Sequence, residues 1–295
     1  MAAALLHPDT FLFASALNAE IYVDKSLLIE KTNALINTER CFVCVSRPRR
    51  FGKSMGLNML AAYYDSGSDT GDMFSDLKIS ECASYELHRN KYHVISVNMQ
   101  DFLTGNQDVM QMIASFSAQI IREAAEVFPE VTFSEPENLI NVLDDIYKET
   151  GKRFVILIDE WDCVFRVRQD DMEGQKYYLD FLRMLLKDKA YIALAYMTGI
   201  LPIKKYGTHS ALNMFTEYSM TSPGILAPYF GFVEDEVKEL CDHYHMSIEE
   251  AKDWYDGYHL SYRDGNADAV LSMYNPKDVS EAMITGKYDT YWNNT

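Results

Sequence analysis

The sequence is short of several things, and each shortage narrows what the chain does. No run of about 18 apolar residues occurs, so no segment reads as a membrane-spanning helix. Positive charge is scarce: 27 Lys and Arg stand against 44 Asp and Glu, a formal net charge of -17. Such a chain repels phosphate backbones at long range, which disfavours nucleic-acid binding over an extended surface. Cysteines number five, and an odd count argues against a disulfide framework and suits a reducing compartment. The opening "MAAALLHPDTFLF" lacks the basic stretch and long apolar core of a secretory signal, so the expected location is the cytoplasm. Repeats and low-complexity linkers are also missing. What remains is a globular composition, 48% hydrophobic and 24% charged, in 295 residues, enough for one large or two ordinary domains.

Four short runs carry the apolar signal: "CFVCVS" (41–46), "HVISVNM" (93–99), "RFVILID" (153–159) and "AYIALAYMTG" (190–199). Each is apolar on both faces and rich in β-branched or aromatic residues, as in parallel strands covered by helices. Cys41 and Cys44 form a C-x-x-C in the first run, but residues three apart on a strand face opposite sides, so a metal or redox role is not expected. Helical patterns alternate with the strands: "SMGLNMLAAYYD", "VMQMIASFSAQIIREAAEVF", "PENLINVLDDIYKETG" and "QKYYLDFLRMLLKD". The expectation is an α/β fold with a parallel sheet and right-handed crossovers, over residues 1–228, with "EYSMTSP" (217–223) as a fifth strand. After Pro228 the pattern changes to a smaller, mainly helical module over 229–295, with Ser247 and Glu250 as a capping box and "RDGNAD" as a polar turn.

The most informative shortage is one glycine. "SRPRRFGKSM" (46–55) ends like the phosphate loop G-x-x-x-x-G-K-[ST], but Arg47 stands where the first glycine belongs. The stretch sits between the first strand and a helix, where outward-pointing amides and the positive end of the helix dipole suit an anion. Arg50, Phe51, Gly52, Lys53, Ser54 and Met55 form the candidate nucleotide cradle, with Lys53 for the β- and γ-phosphates and Ser54 for Mg²⁺. Pro48 favours an extended Arg47. The Arg47 side chain is expected to point away from the phosphates and to pair with one of the many carboxylates.

A second element, "FVILIDEWD", ends an apolar strand in Asp159 and Glu160. Asp159 would hold the Mg²⁺ shell and Glu160 would take a proton from the attacking water. Thr198 ends the fourth strand. In a sheet ordered 5-1-4-3-2 that strand lies between those carrying Lys53 and Asp159, where Thr198 could contact the γ-phosphate or the water; an ordinary strand-ending threonine is the alternative.

Beyond these motifs, "IYVDKSLLIEKT", "RPRRFGKSM", "LIDEWD", "YMTGILPIKKYGTHSALNMF", "YFGFVEDEVKEL", "WYDGYHL", "YNP" and the closing "YW" together resemble the AAA-ATPase-like domain of bacterial proteins. That family commonly has Arg at the Arg47 position and commonly carries a restriction-type nuclease domain after this region; no such domain is expected within these 295 residues. The resemblance implies a P-loop fold of the additional-strand type, ATP and Mg²⁺ as ligands, the roles given above for Lys53, Ser54, Asp159 and Glu160, and a C-terminal lid. It leads to an ATP-binding, slowly hydrolysing switch module. The rivals are a nucleotide-holding module without turnover, and a scaffold whose basic loop binds a protein or nucleic acid.

Weaker signals are set aside. "DGNAD" (264–268) starts like a calcium loop, but Ala269 and Asn275 fail its sixth and twelfth positions. Cys241, His243 and His245 lack a second ligand pair at zinc spacing. "DLK" (76–78) and "EVK" (236–238) have no upstream Asp on a hairpin, and the tyrosines around "WYDGYHLSYR" are expected in the lid core. No arginine finger stands out: Arg166, Arg168, Lys204 and Lys205 are candidates expected to be surface charges, and a finger from a neighbouring subunit would imply oligomers.

Overall fold

The computed structural model describes residues 4–203, 212–264 and 267–291. Five strands, β1 (Phe42–Ser46), β2 (His93–Asn98), β3 (Phe154–Asp159), β4 (Ile192–Gly199) and β5 (Thr216–Tyr218), form one parallel sheet in the order β2-β3-β4-β1-β5. Read from its other edge, this is the 5-1-4-3-2 order expected from the sequence. Every residue of β3 and β4 is buried, which explains why those runs are apolar on both faces.

Helices surround the sheet. Lys53–Tyr64 lies against β2, β3 and β4 and buries side chains around most of its circumference, from Leu57 through Tyr64, so it shows no amphipathic stripe. Val109–Val127 starts at Asp108, whose carboxylate accepts from Gln111 N at 2.8 Å. Leu139–Thr150 starts at the Asn138 cap and stops at Gly151, whose φ of +66° closes the helix in the left-handed conformation. Met172–Leu186 is capped by Asp171.

At the amino end of the sheet, Leu6 bridges to Ile95 on the free edge of β2. His7 Nδ1 lies 2.5 Å from Asp65 Oδ1, and His7 Nε2 lies 3.2 Å from Nδ1 of the buried His93. Burial, with His7 and Lys152 nearby, pushes the His93 pKa down from 6.5 to about 3.

The C-terminal module has the expected helices, Glu234–Tyr244, Ile248–Tyr255 and Pro276–Thr285, and Ser247 Oγ accepts from Glu250 N at 3.3 Å. It also has a three-stranded antiparallel sheet that the mainly helical reading did not foresee: β6 (Phe232–Val233), β7 (Tyr258–Asp264) and β8 (Ala267–Tyr274), in the order β6-β8-β7. Of the expected polar turn, Arg263 and Asp264 end β7, Ala267 and Asp268 begin β8, and Gly265 and Asn266 lie outside the described residues. Tyr258, Leu260 and Tyr262 alternate with His259, Ser261 and Arg263, a period of two that marks a strand and was hidden by the aromatic content of the segment. Phe230 packs into the large core and Phe232 into that of the small module, so the change of module falls within these residues.

Candidate functional site

The carboxyl ends of β1, β3 and β4 meet in register, with Val45 opposite Thr198 and Ile158 opposite Met197. This end of a parallel sheet is where chain crossings leave a crevice for ligands. β1 runs into the loop Arg47–Gly52, and Gly52 starts the helix at φ +81°, a conformation that suits glycine. A Cβ there would meet nothing within 4 Å, so the reason for glycine is the backbone angle and the open space above it. The first backbone bond of the helix runs from Gly56 N to the Gly52 carbonyl at 2.9 Å, so the amides before it have no partner within the helix.

Lys53 is buried rather than waving in solvent. Its Nζ donates to the Arg47 carbonyl at 3.1 Å and to the Pro48 carbonyl at 2.9 Å, so the lysine shapes the loop from inside. Burial lowers its pKa, opposed by the charges of Glu160, Asp159 and Asp162. Ser54 Oγ donates to Asp159 Oδ2, and Thr198 Oγ1 donates to Asp159 Oδ1. Thr198 is fully buried, so its hydroxyl orients the carboxylate and does not face open space.

Glu160 follows with φ +53°, an uncommon angle for a non-glycine residue. Its carboxylate takes a hydrogen bond from Arg166 Nη2. Burial raises the Glu160 pKa, opposed first by Arg166. Arg166 Nε also lies 3.3 Å from Asp162 Oδ1, so this arginine is no surface charge. The fully buried Asp162 accepts from the amides of Ile200 at 3.0 Å and Leu201 at 2.7 Å. Gly199 permits this packing, since a Cβ there would lie 2.7 Å from Trp161 Nε1 and 2.9 Å from Asp162 Oδ1. Glu217 Oε1 continues the support, accepting from Ile203 N and Ser46 Oγ, each at 2.9 Å.

Arg47 turns away from the loop, as expected, but finds no carboxylate. It is 1% exposed, donates to the carbonyls of Ser46 at 3.1 Å and Tyr218 at 2.8 Å, and lies over the Phe230 ring at 5.8 Å. Burial lowers its pKa to about 10. The position of the missing glycine is thus filled by a buried arginine that ties β1 to β5 and to Phe230, where the large core ends.

Beside the loop lies a cavity of about 350 Å³, walled by Tyr22, Val23, Met55, Tyr229 and Phe232, with Lys25, Arg50 and Lys277 at its polar points. Phe51 leaves the loop for the small module, where it packs with Leu260 and Met273 and meets Tyr258 edge to face. Arg50, at φ +68°, points the same way, with Nη1 3.5 Å from the Tyr291 carbonyl.

A family model described as "Predicted AAA-ATPase" matches residues 16–208. The chain belongs to this AAA-ATPase-like family. No curated protein matches. Among solved structures, the Aeropyrum pernix ORC2 protein, determined as ADPNP and ADP complexes, is similar over 79% of this chain at 10% identity and a TM-score of 0.38. This chain covers 50% of that one.

Of the residues expected at the site of this AAA-like module, Lys53, Ser54, Asp159, Glu160 and Thr198 converge on the sheet's carboxyl end. Arg50, Phe51, Gly52 and Met55 all line the cavity, and the Arg50 and Phe51 side chains also reach the small module. Lys204 and Lys205 lie outside the described residues, as does the Trp of the closing "YW". Sequence reasoning missed Asp162, Glu217 and Lys25. Asp162 had a signal, the fourth place of "DEWD"; Lys25 and Glu217 had none, because their partners are far along the chain. Among the described residues no group of His, Cys, Asp and Glu suits a metal by itself, and no helix is long and apolar enough to cross a membrane.

Proposed function

We propose that this chain binds ATP with Mg²⁺ at the carboxyl end of the sheet and hydrolyses it slowly, as a switch between the sheet and the C-terminal lid. The observation that carries the proposal is the link from Ser54 at the helix start to Asp159 at the end of β3, beside the buried Lys53. The hydroxyl and carboxylate oxygens of Ser54 and Asp159 are the hard donors that Mg²⁺ takes, so the residues present fit the ion. When bound, Mg²⁺ would neutralise phosphate oxygens and favour attack at the γ-phosphorus. The free amides at the helix start would receive phosphate oxygens, Lys53 would add a positive charge, and the apolar cavity would take the base. Thr198 holds the Asp159 carboxylate in place. Glu160 would accept the proton of the attacking water.

Two further observations weigh the rivals. Glu160 is held by Arg166, which favours low turnover and is the best support for a module that binds without hydrolysing. The scaffold reading loses its footing: Arg47 and Lys53 are buried and Arg50 is half-buried, so Arg49 alone of the four basic loop residues is exposed. Isothermal titration with Mg·ATP tests the proposal. The parent should bind, and Lys53→Ala should bind more than tenfold more weakly, about 1.4 kcal/mol or more. Equal affinity in the two would remove the nucleotide reading.

A further inference from the structure

Arg166 is the one group at the site whose present position opposes the role of its partner. It stands on the short helix Cys163–Val167, which folds back over the turn after β3. One end of its guanidinium holds the carboxylate of Glu160, and the other faces Asp162. The two ends differ in anchorage. Asp162 is fully buried and fixed by two backbone amides. Glu160 is bound to Arg166 alone through its side chain, retains 23% side-chain exposure, and sits on a strained left-handed turn. A carboxylate held at one oxygen by a guanidinium is a weaker base toward water, because the cation favours the ionised form. A guanidinium facing a fixed buried carboxylate on one side and an exposed one on the other can exchange only the second.

We propose that Arg166 exchanges partner on nucleotide binding, leaving Glu160 for the terminal phosphate of a nucleoside triphosphate bound in the same chain. The inference rests on the nucleotide reading above. A phosphate group carries more charge than a carboxylate and offers the planar guanidinium a paired set of oxygens. The exchange does two things at once. It frees Glu160, and it places a cation on the phosphoryl group being transferred, the contribution of an arginine finger, without a neighbouring subunit. Lys53 lies in the same field of charges, close enough for Glu160, Asp162 and Arg166 all to act on it. A nucleoside diphosphate lacks the group Arg166 would take, so the structure assigns this residue to telling triphosphate from diphosphate.

Calorimetric binding of Mg·ADP and of a magnesium-bound non-hydrolysable ATP analogue tests this without reference to turnover. Arg166→Ala should weaken the triphosphate analogue about tenfold, or about 1.4 kcal/mol, and leave ADP within about twofold, with Arg166→Lys recovering part of the loss. Glu160→Gln should tighten the triphosphate severalfold and leave ADP unchanged, because the amide releases Arg166; this variant keeps the test open should Arg166→Ala fold poorly. Equal losses for both nucleotides would make Arg166 a support of the turn only. Unchanged affinities in every variant would mean that it stays on Glu160. Failure of the parent to bind either nucleotide would instead overturn the underlying nucleotide reading.

Discussion

The two sides of the cleft are built by different means. On the sheet side, Lys53, Ser54, Asp159 and Thr198 stand at or beside the ends of strands and bond to one another or to the loop backbone. They cannot shift without disturbing β1, β3 and β4. On the side of the C-terminal module, the cavity is walled by segments around Tyr22, Tyr229 and Pro276, far apart in the chain and joined by side-chain links. Lys25 supplies two of these, to Glu236 at 2.5 Å and to the Pro228 carbonyl at 2.7 Å. The Phe51–Tyr258 contact supplies another. Under the proposed function, the chemistry is fixed by the sheet and the movement is left to the C-terminal module.

The comparison can be broken most forcefully from the sheet side. Glu160→Gln should retain nucleotide binding and lose turnover by roughly 10²–10⁴, since the amide cannot take the water's proton. Phosphate release at saturating ATP measures this, and a variant as fast as the parent would remove Glu160 from the chemistry. From the side of the C-terminal module, Lys25→Met leaves the half-buried Glu236 without its cation, with the Val233 amide as its remaining partner. It should lower stability by about 3 kcal/mol, read by urea denaturation, and weaken ATP through the loosened wall. A loss confined to stability, with ATP affinity intact, would show that the lid wall does not hold the nucleotide.

Arg47 belongs to neither side, and its replacement sharpens the boundary between them. Arg47→Gly restores the missing glycine but strips hydrogen bonds from the carbonyls of Ser46 and Tyr218. Stability should fall by about 2 kcal/mol while ATP affinity changes less than about tenfold. A much larger affinity loss would mean that Arg47 reaches the phosphates. The smallest effect on nucleotide binding is expected at the far end of the sheet. His93 is held neutral in the fold, with its pKa lowered from 6.5 to about 3, while the unfolded chain takes up a proton near 6.5. The unfolded state binds more protons between those values, so this contribution is complete above pH 6.5 and is lost as pH falls toward 3. His93→Gln should flatten the acid side of the stability profile and leave nucleotide binding unchanged.

What the sequence disclosed follows the same division. The strands were legible because burial on both faces forces continuous apolar runs, and the meeting of Lys53, Ser54, Asp159 and Glu160 was legible because the first two open the helix after one such run and the last two close another. Asp162 was half visible, two residues beyond Glu160, but its task of holding the Ile200 and Leu201 amides depends on a neighbouring strand. The hairpin Tyr258–Tyr274 was missed although its side chains alternate, because its tyrosines resemble lid core at helical spacing. Lys25 and Glu236 are separated by 211 positions, and no local pattern announces a pair made by folding. Arg47 was read correctly in direction and wrongly in partner: an acidic chain suggests a carboxylate, whereas the end of the sheet supplies carbonyls and the ring of Phe230.

The most direct test of the account is thermal unfolding of the intact chain across a Mg·ATP titration. A ligand that binds the folded state alone stabilises it by about 2.7 kcal/mol at a hundred times its Kd, so the transition should climb steadily with the logarithm of Mg·ATP concentration. Lys53→Ala should show little or no climb over the same range. A parent chain whose transition does not move at any Mg·ATP concentration would contradict the assignment of the sheet's carboxyl end to a nucleotide.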